Sequence, residues 1–214
     1  MKGKRYDKKD GIVEKLFETI HLGQKILHFN VPIEIVDEIN LTYQNNVKDL
    51  KNHNQYLAGK IVDEHKIDNL LSDKVKKYYS SCFRVYLIEC KVMYNINLVS
   101  AWVNEMKANE YNPMHHHTGH TNLGLSSVLI LKLPDTFGEE YSRKENPANG
   151  LLEFNGNGGG MFSYNQCKMH TKVGDLLIFP YDLRHGVYPF NSTTECRRTM
   201  SYNCDLTKFS QNPI

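Results

Sequence analysis

The residues with the clearest chemical potential are the histidines of Asn112–His120, which reads NPMHHHTGH. Neutral imidazole is the commonest metal ligand in proteins near neutral pH. Successive side chains of an extended segment alternate between its two faces, so His115 and His117 would point the same way and His116 the opposite way. This spacing predicts that His115 and His117 hold two adjacent positions on one metal ion. The alternative interpretation is a histidine-rich surface loop with no function.

A third metal ligand must come from elsewhere in the chain, and His185 has a suitable setting. It follows the apolar run Asp175–Phe179, which predicts a buried strand, and the corner at Pro180. A buried strand that ends at a corner can deliver one side chain into the mouth of a barrel. The alternative is a structural histidine with satisfied hydrogen bonds. Such a setting is absent for His21, His28, His53, His65 and His170.

The run Arg197–Asn203 predicts a strand with two chemically different faces. Period-two alternation places Arg197, Thr199, Ser201 and Asn203 on one face and Arg198, Met200 and Tyr202 on the other. An inward arginine beside an inward hydroxyl can bind a carboxylate, because the planar guanidinium forms two parallel hydrogen bonds and the hydroxyl adds a third. The pattern alone leaves open whether Arg197 or Arg198 faces inward.

The composition predicts one globular domain. At roughly 150 residues per domain, the 214 residues predict a single unit over 1–214. We expect N-terminal helical support with the first strands over 1–95, and a catalytic core over 96–208. Hydrophobic residues at 40% and charged residues at 23% exclude wholesale disorder. A formal net charge of +2 provides no electrostatic argument for a nucleic-acid or membrane partner.

The sequence also predicts a cytoplasmic protein. No apolar signal segment follows the N-terminal residues, and the longest apolar runs, such as Val128–Leu131, are far too short to cross a bilayer. The five cysteines are odd in number and contain no Cys-x-x-Cys pair. This excludes a zinc ribbon and argues against a disulfide framework, which fits a reducing compartment.

Helical patterns precede a series of strand patterns along the chain. A strand over Ile26–Phe29 is followed by helices over Ile33–Leu50 and Ile67–Arg84. The strands after them are Leu98–Asn104, Ser126–Leu133, Leu151–Phe154, Met161–Tyr164, Asp175–Phe179, His185–Tyr188 and Arg197–Asp205. The glycine-rich run 156–160 predicts a hairpin loop. This order predicts an α+β, mainly β fold: an eight-stranded jelly roll with helices on one face.

Taken together, these segments resemble the 2-oxoglutarate/Fe(II)-dependent oxygenases, in particular the prolyl-4-hydroxylase-like branch of bacteria and phages. The resemblance covers roughly residues 98–205. It rests on a strand that bears Trp102, a His-x-His pair, a serine-rich strand at Ser126-Ser127, a distal histidine and an Arg-x-Thr pair.

The resemblance implies a double-stranded β-helix and a dioxygenase that hydroxylates an unactivated C–H bond with Fe(II), 2-oxoglutarate and O2. It implies that His115, His117 and His185 are iron ligands. Arg197 would pair with the distal carboxylate of 2-oxoglutarate and Thr199 would hydrogen-bond it. Asn104 would supply a further polar contact to the cosubstrate.

One position departs from the family pattern, because His117 stands where a carboxylate is usual. Three explanations remain open: a three-histidine site, a carboxylate supplied from elsewhere, or a site that is not a working oxygenase. We favour the first because the flanking pattern is intact. The alternatives to the oxygenase are a cupin-like three-histidine enzyme that does not use 2-oxoglutarate, and a non-catalytic jelly-roll binding module.

The sequence identifies the substrate only loosely. The long polar segment 134–160 predicts a loop region that selects substrate. Resemblance to the prolyl hydroxylases favours a protein or peptide, and a small molecule is the alternative. The basic arm within residues 2–9 predicts a solvated tail, and nucleic acid is not expected as a partner. A phage-encoded copy would act in the host cytoplasm.

Overall fold

The computed structural model describes residues 23–54, 59–139, 144–161, 163–191 and 195–209, and the N-terminal basic arm lies outside these ranges. Within them are two helices, α1 (Ile33–Asn46) and α2 (Asp73–Glu89). The ten strands are β1 (Leu27–Asn30), β2 (Asp63–Lys66), β3 (Asn95–Met106), β4 (Asn112–His115), β5 (Gly124–Lys132), β6 (Leu152–Asn155), β7 (Gln166–Met169), β8 (Asp175–Pro180), β9 (Arg184–Val187) and β10 (Arg197–Thr207).

The strands form two antiparallel sheets. The larger has the order β1-β8-β5-β10-β3-β2, and the smaller has the order β4-β9-β6-β7. Their facing sides share a buried apolar cluster, with Val128, Leu177 and Phe179 from the larger sheet and Leu152 and Phe154 from the smaller. This confirms the predicted mainly β jelly roll, although the two sheets together contain ten strands among the described residues rather than eight. We call the side of the larger sheet that faces the smaller sheet the interior face.

The two helices cover the opposite side of the larger sheet. Helix α1 buries Ile35, Val36, Ile39 and Tyr43 along one stripe. These side chains pack in the main core with others from α2, β3, β5, β8 and β10. Helix packing therefore leaves the interior face free to build a site. No helix among the described residues is long and apolar enough to cross a membrane.

Helix α2 lies later in the chain than predicted. It begins at Asp73 rather than Ile67, because the Ser72 hydroxyl caps the helix by accepting a hydrogen bond from the Val75 amide at 3.2 Å. It continues to Glu89 rather than ending at Arg84. Just beyond it, Lys91 adopts a left-handed φ of 56°, which ends the helical path.

The prediction of a strand over Met161–Tyr164 is wrong. Residues 161, 163 and 164 form no strand, and the Met161 and Tyr164 side chains are 91% and 93% exposed. Their apolar character does not reflect burial in a sheet. The strand is instead β7, whose first residue Gln166 pairs with Asn155 at the end of β6. The glycine-rich run 156–160 lies in this β6–β7 connection, as predicted for a hairpin loop.

Candidate metal and cosubstrate site

Three histidines meet at one end of the smaller sheet. His115 ends β4 and lies directly opposite His185 on the antiparallel strand β9. His117 follows two residues later, and one ring nitrogen from each of the three lies within 4.8 Å of the others. The Nε2 atoms of His117 and His185 are only 3.1 Å apart. The structure therefore brings together the His-x-His pair and the distal histidine predicted from the sequence.

Backbone carbonyls orient two of the rings. The Nδ1 atom of His115 is 2.8 Å from the Pro113 carbonyl oxygen, and that of His185 is 3.1 Å from the Leu183 carbonyl oxygen. A carbonyl oxygen only accepts hydrogen bonds, so each Nδ1 carries the proton and donates it. This leaves both Nε2 lone pairs available, as is usual for metal-binding histidines.

Burial keeps the cluster neutral. Loss of solvation lowers the pKa of His185 to about 3, and it lowers the pKa values of His115 and His117 in the same direction. Neutral imidazole is the form that binds metal. At 3.1 Å, one Nε2 atom can donate a hydrogen bond to the other, or both can turn their lone pairs towards one cation. The cluster is therefore preorganised for a cation.

The loop that carries His117 is fixed to the larger sheet. The His117 amide donates to the Tyr181 carbonyl oxygen at 3.0 Å. The Asp205 carboxylate accepts hydrogen bonds from the His120 amide at 2.9 Å and from the Tyr181 hydroxyl at 3.1 Å. Asp205 thus links β10, the corner after β8 and the histidine loop. A Cβ at Gly119 would lie 1.8 Å from an oxygen of this carboxylate, so the loop passes Asp205 too closely for a larger residue.

His117 stands where a carboxylate is usual in the family, and a three-histidine site is the explanation that fits the geometry best. Among the described residues, the group of potential metal ligands contains three histidines and no carboxylate. The neighbouring acids considered from the sequence, Asp135 and Asp182, are both exposed and are not part of this group.

The carboxylate-binding residues predicted on β10 lie on the interior face. Ser201 is opposite Val128 of the interior cluster in one direction and opposite Trp102 in the other. Alternation then places Thr199 and Arg197 on the same face, with Asn104 opposite Thr199. The Trp102 ring lies 5.6 Å from the His117 ring, centroid to centroid. The Arg-x-Thr pair and the histidine cluster therefore share one interior space.

The two adjacent arginines have opposite surroundings. Arg198 faces the helices, where its Nη2 is 3.1 Å from a Glu105 carboxylate oxygen and its Nη1 donates to the Asn40 Oδ1 atom at 3.0 Å. Its guanidinium also lies 4.9 Å from the centre of the Tyr43 ring. Arg197 is 3% exposed, and its Nε and Nη2 atoms have no hydrogen-bond partner among the described residues. Burial lowers the pKa of Arg197 to about 10. The inward arginine is therefore Arg197.

Other buried polar atoms without a partner among the described residues lie on the same interior face of the sheet. They are Asn104 Oδ1, Ser126 Oγ, Asn203 Oδ1 and Glu64 Oε2. Buried polar groups are normally hydrogen-bonded, so unpaired atoms at one face indicate a site that binds polar ligands. The sequence analysis missed Glu64, because its strand reads DEHK and lacks the apolar alternation that reveals a strand.

Comparison with known proteins finds one family model that matches the core of the chain. Residues 100–203 match the family model described as putative 2OG-Fe(II) oxygenase. This range contains all the metal-binding and cosubstrate-binding residues predicted above. The sequence matches no curated protein.

Solved structures share the fold at low sequence identity. A prolyl-4-hydroxylase from Pseudomonas putida has a TM-score of 0.54 and 13% identity, covering 87% of this chain and 92% of that chain. The viral collagen prolyl hydroxylase of Paramecium Bursaria Chlorella virus-1, solved with 2OG, has a TM-score of 0.51 and 13% identity, covering 84% and 96%. A non-heme alpha-ketoglutarate-dependent epimerase from nogalamycin biosynthesis has a TM-score of 0.58 and 14% identity, covering 85% and 78%.

The sequence resemblance, the jelly roll and the histidine cluster thus agree with the family model. Over residues 100–203 this chain matches the 2-oxoglutarate/Fe(II)-dependent oxygenases, and it has the fold of a prolyl-4-hydroxylase; it is a dioxygenase that uses Fe(II), 2-oxoglutarate and O2.

Proposed function

We propose that His115, His117 and His185 hold Fe(II), that Arg197 holds 2-oxoglutarate, and that the enzyme hydroxylates a C–H bond of a protein or peptide. The observation that carries this proposal is the unpaired guanidinium of Arg197, buried on the interior face that also borders the histidine cluster. A buried cation without a partner is costly. The distal carboxylate of 2-oxoglutarate would satisfy both its charge and its hydrogen bonds.

The residues present fit the iron and the cosubstrate. Three neutral imidazole nitrogens converge within 4.8 Å, and imidazole suits iron among the transition metals. When bound, iron and 2-oxoglutarate supply the chemistry that activates O2 for C–H oxidation. The protein supplies placement, charge and the exclusion of water from a buried interior.

Each side chain on the interior face has a distinct role in this proposal. Arg197 donates two parallel hydrogen bonds to the distal carboxylate, and the Thr199 hydroxyl donates a third. Asn104, opposite Thr199 on β3, has an unpaired Oδ1 atom and contacts the cosubstrate from the adjacent strand. Burial strengthens these interactions, because little water screens the charges.

His117 in place of a carboxylate changes the charge of the site. A neutral imidazole leaves the metal centre more positive by one unit than the usual two-histidine, one-carboxylate set. A more positive centre attracts the anionic cosubstrate more strongly. The extra charge should also change the relative affinities of the site for metals other than iron, which metal substitution measures.

We also propose a substrate class and a cellular location for the enzyme. A protein or peptide is supported by the fold shared with a viral collagen prolyl hydroxylase, whereas the shared fold of an epimerase from nogalamycin biosynthesis keeps a small molecule as the alternative. The net charge of +2 provides no reason to expect nucleic acid. Five free cysteines support a reducing cytoplasm, which would be that of the host if a phage encodes the protein.

The test is conversion of 2-oxoglutarate to succinate by the full chain with Fe(II), ascorbate and O2. We expect slow succinate formation without added substrate, and its loss in His185→Ala. His116→Ala is the matched control, because this side chain in the same loop is exposed. Stoichiometric iron binding with no 2-oxoglutarate binding or turnover would instead identify a three-histidine enzyme that does not use this cosubstrate.

A further inference from the structure

Glu64 is a buried acid on the interior face of the larger sheet. It lies on the edge strand β2, directly opposite Asn104 of β3, and Asn104 is in turn opposite Thr199 of β10. Directly opposite residues of antiparallel strands place their side chains on the same face. With strands about 4.8 Å apart, the Glu64 backbone is two strand spacings, or about 10 Å, from Thr199.

The neighbours of Glu64 on β2 are engaged on the opposite face. The Asp63 carboxylate binds the Lys107 ammonium at 2.7 Å. The Nδ1 atom of His65 is 3.0 Å from the Tyr43 hydroxyl, beneath the helices. Alternation along the strand thus turns Asp63 and His65 away from the interior and Glu64 towards it.

One oxygen of the buried Glu64 carboxyl has no partner among the described residues. The side chain is 3% exposed and its Oε2 atom has no hydrogen-bond partner among the described residues. Burial alone raises the pKa of Glu64 to about 7, without a basic group to oppose the shift. Lys66 on the same strand pairs with Asp68, and Arg198 on the opposite face of the sheet pairs with Glu105.

The interior therefore carries two unpaired groups of opposite charge on one face. Among the described residues, the Nε and Nη2 atoms of Arg197 lack an acceptor and the Oε2 atom of Glu64 lacks a donor. Neither neutralises the other, because burial is the only cause that shifts either pKa. An anionic cosubstrate bound at Arg197 leaves Glu64 unpaired, so Glu64 remains available to a second ligand that carries a donor.

We propose that Glu64 is a substrate-binding residue whose carboxylate accepts hydrogen bonds from an amino or guanidino group of the substrate. This inference rests on the proposed function, because it assigns Arg197 to the cosubstrate and leaves Glu64 for the molecule that is oxidised. A cationic nitrogen suits the position, since it supplies both the missing charge and the missing donor. The substrate class is therefore one that presents a basic nitrogen, such as a lysyl or arginyl side chain or an amine.

The first test observes Glu64 directly in the full chain loaded with Zn(II) and 2-oxoglutarate. The side-chain carboxyl carbons are labelled with carbon-13, and the Glu64 signal is assigned by its absence in Glu64→Gln. We expect n-butylammonium to shift this signal saturably and to lower the midpoint of its titration, whereas 1-butanol does neither. An unchanged Glu64 signal with n-butylammonium would overturn the proposal.

The second test compares affinities for n-butylammonium. Glu64→Gln keeps the size of the side chain and removes its charge, and we expect affinity to fall at least tenfold. Asp63→Asn is the matched control, because it removes a carboxylate from the same strand but the opposite face, and its affinity should stay within twofold of the wild type. Equal affinity in Glu64→Gln and the wild type would refute the role.

Different results would contradict the proposed oxygenase site and the proposed substrate-binding role of Glu64. The visible band of Fe(II) with 2-oxoglutarate is recorded anaerobically for the wild-type protein beside each titration. Absence of the band overturns the proposed oxygenase site, even if Glu64 binds the amine. A normal band with no response of Glu64 to the amine overturns only the substrate assignment.

Discussion

Arg197 and Arg198 are adjacent in the chain, yet within the part of the chain that the structure describes only Arg198 has polar side-chain partners. Arg198 binds Glu105, Asn40 and the Tyr43 ring, and so joins the sheet to helix α1. Arg197 is buried, and its Nε and Nη2 atoms have no acceptor among the described residues. Strand alternation explains the difference. Arg198 stabilises the fold, and Arg197 is left to bind a ligand.

Replacing Arg197 with methionine should separate binding from stability. Without its charged hydrogen bonds, 2-oxoglutarate affinity should fall about 10- to 100-fold, while metal affinity stays unchanged. Removing an unpaired buried charge should raise the free energy of unfolding of the ligand-free protein by about 1–3 kcal/mol. Calorimetric titration and chemical denaturation measure the two effects.

Arg198→Lys is the control for this change. It retains a positive charge but loses the forked contacts with Glu105 and Asn40, so it should destabilise the fold and leave 2-oxoglutarate affinity within about twofold. If Arg198→Lys weakens 2-oxoglutarate binding as much as Arg197→Met does, the assignment of the inward arginine is wrong.

Glu64 should make the protein less stable as the pH rises. Its pKa is about 7 in the folded protein against an ordinary 4.5, so between these values the folded state holds a proton that the unfolded chain releases. The contribution of Glu64 is therefore complete below pH 4.5 and is lost as pH rises to 7, by about 3 kcal/mol. Urea denaturation at a series of pH values measures this loss.

Glu64→Gln should remove that part of the pH dependence, because glutamine does not titrate. Asp63→Asn should retain the wild-type slope between pH 4.5 and 7. A slope in Glu64→Gln that equals the wild-type slope would show that Glu64 is ionised in the fold and has a partner.

At the scale of elements, the pairing of β4 with β9 sets the distance between His115 and His185. Gly186 follows His185, and a Cβ there would lie 2.9 Å from the Asn112 carbonyl oxygen and 3.0 Å from the Met114 amide nitrogen. Both contacts are with backbone, which cannot rotate away. The absence of a side chain at Gly186 therefore lets the two strands approach closely enough for the histidines to meet.

Gly186→Ala should move β4 away from β9 and weaken metal binding. We expect the affinity for Co(II) to fall at least tenfold, because the three nitrogens no longer converge, while the circular dichroism of the sheets is retained. Gly158→Ala provides a control, since a Cβ there meets no atom within 4 Å. Wild-type Co(II) affinity in Gly186→Ala would show that the close approach is not needed.

The elements differed in how far the sequence predicted them. Strands β5, β8 and β10 were predicted within a few residues, because apolar runs or regular alternation mark buried strands. Strand β2 was missed because all four of its residues are polar and only pairing with β3 makes it a strand. Strand β7 was misplaced because Met161 and Tyr164 are apolar but exposed.

The residues of the site also differed in how readily the sequence predicted them. The histidines and Arg197 stand out by residue type and spacing, so the sequence alone could nominate them. Glu64 and Asp205 could not be found in this way, because their surroundings come from strands distant in the sequence. Asp205 meets Tyr181 and the His120 amide only after β10 is placed in the sheet.

At the scale of the whole molecule, two layers separate stability from chemistry. The helices and one face of the larger sheet form the main apolar core, whereas the interior face carries Arg197, Asn104 and Glu64, each with a buried polar atom that has no partner among the described residues. Chain positions far apart supply the site, with Glu64, Asn104 and Thr199 aligned across three strands. The central claim is that this interior holds iron and 2-oxoglutarate at the same time.

The most direct test of that claim is an anaerobic titration of the metal-free protein, followed by visible absorption. We predict a weak charge-transfer band that appears only when Fe(II) and 2-oxoglutarate are both present, which shows that the cosubstrate chelates the bound metal. The band should be absent in His185→Ala and should require much more 2-oxoglutarate in Arg197→Met. One equivalent of bound iron with no band at saturating 2-oxoglutarate would contradict the account.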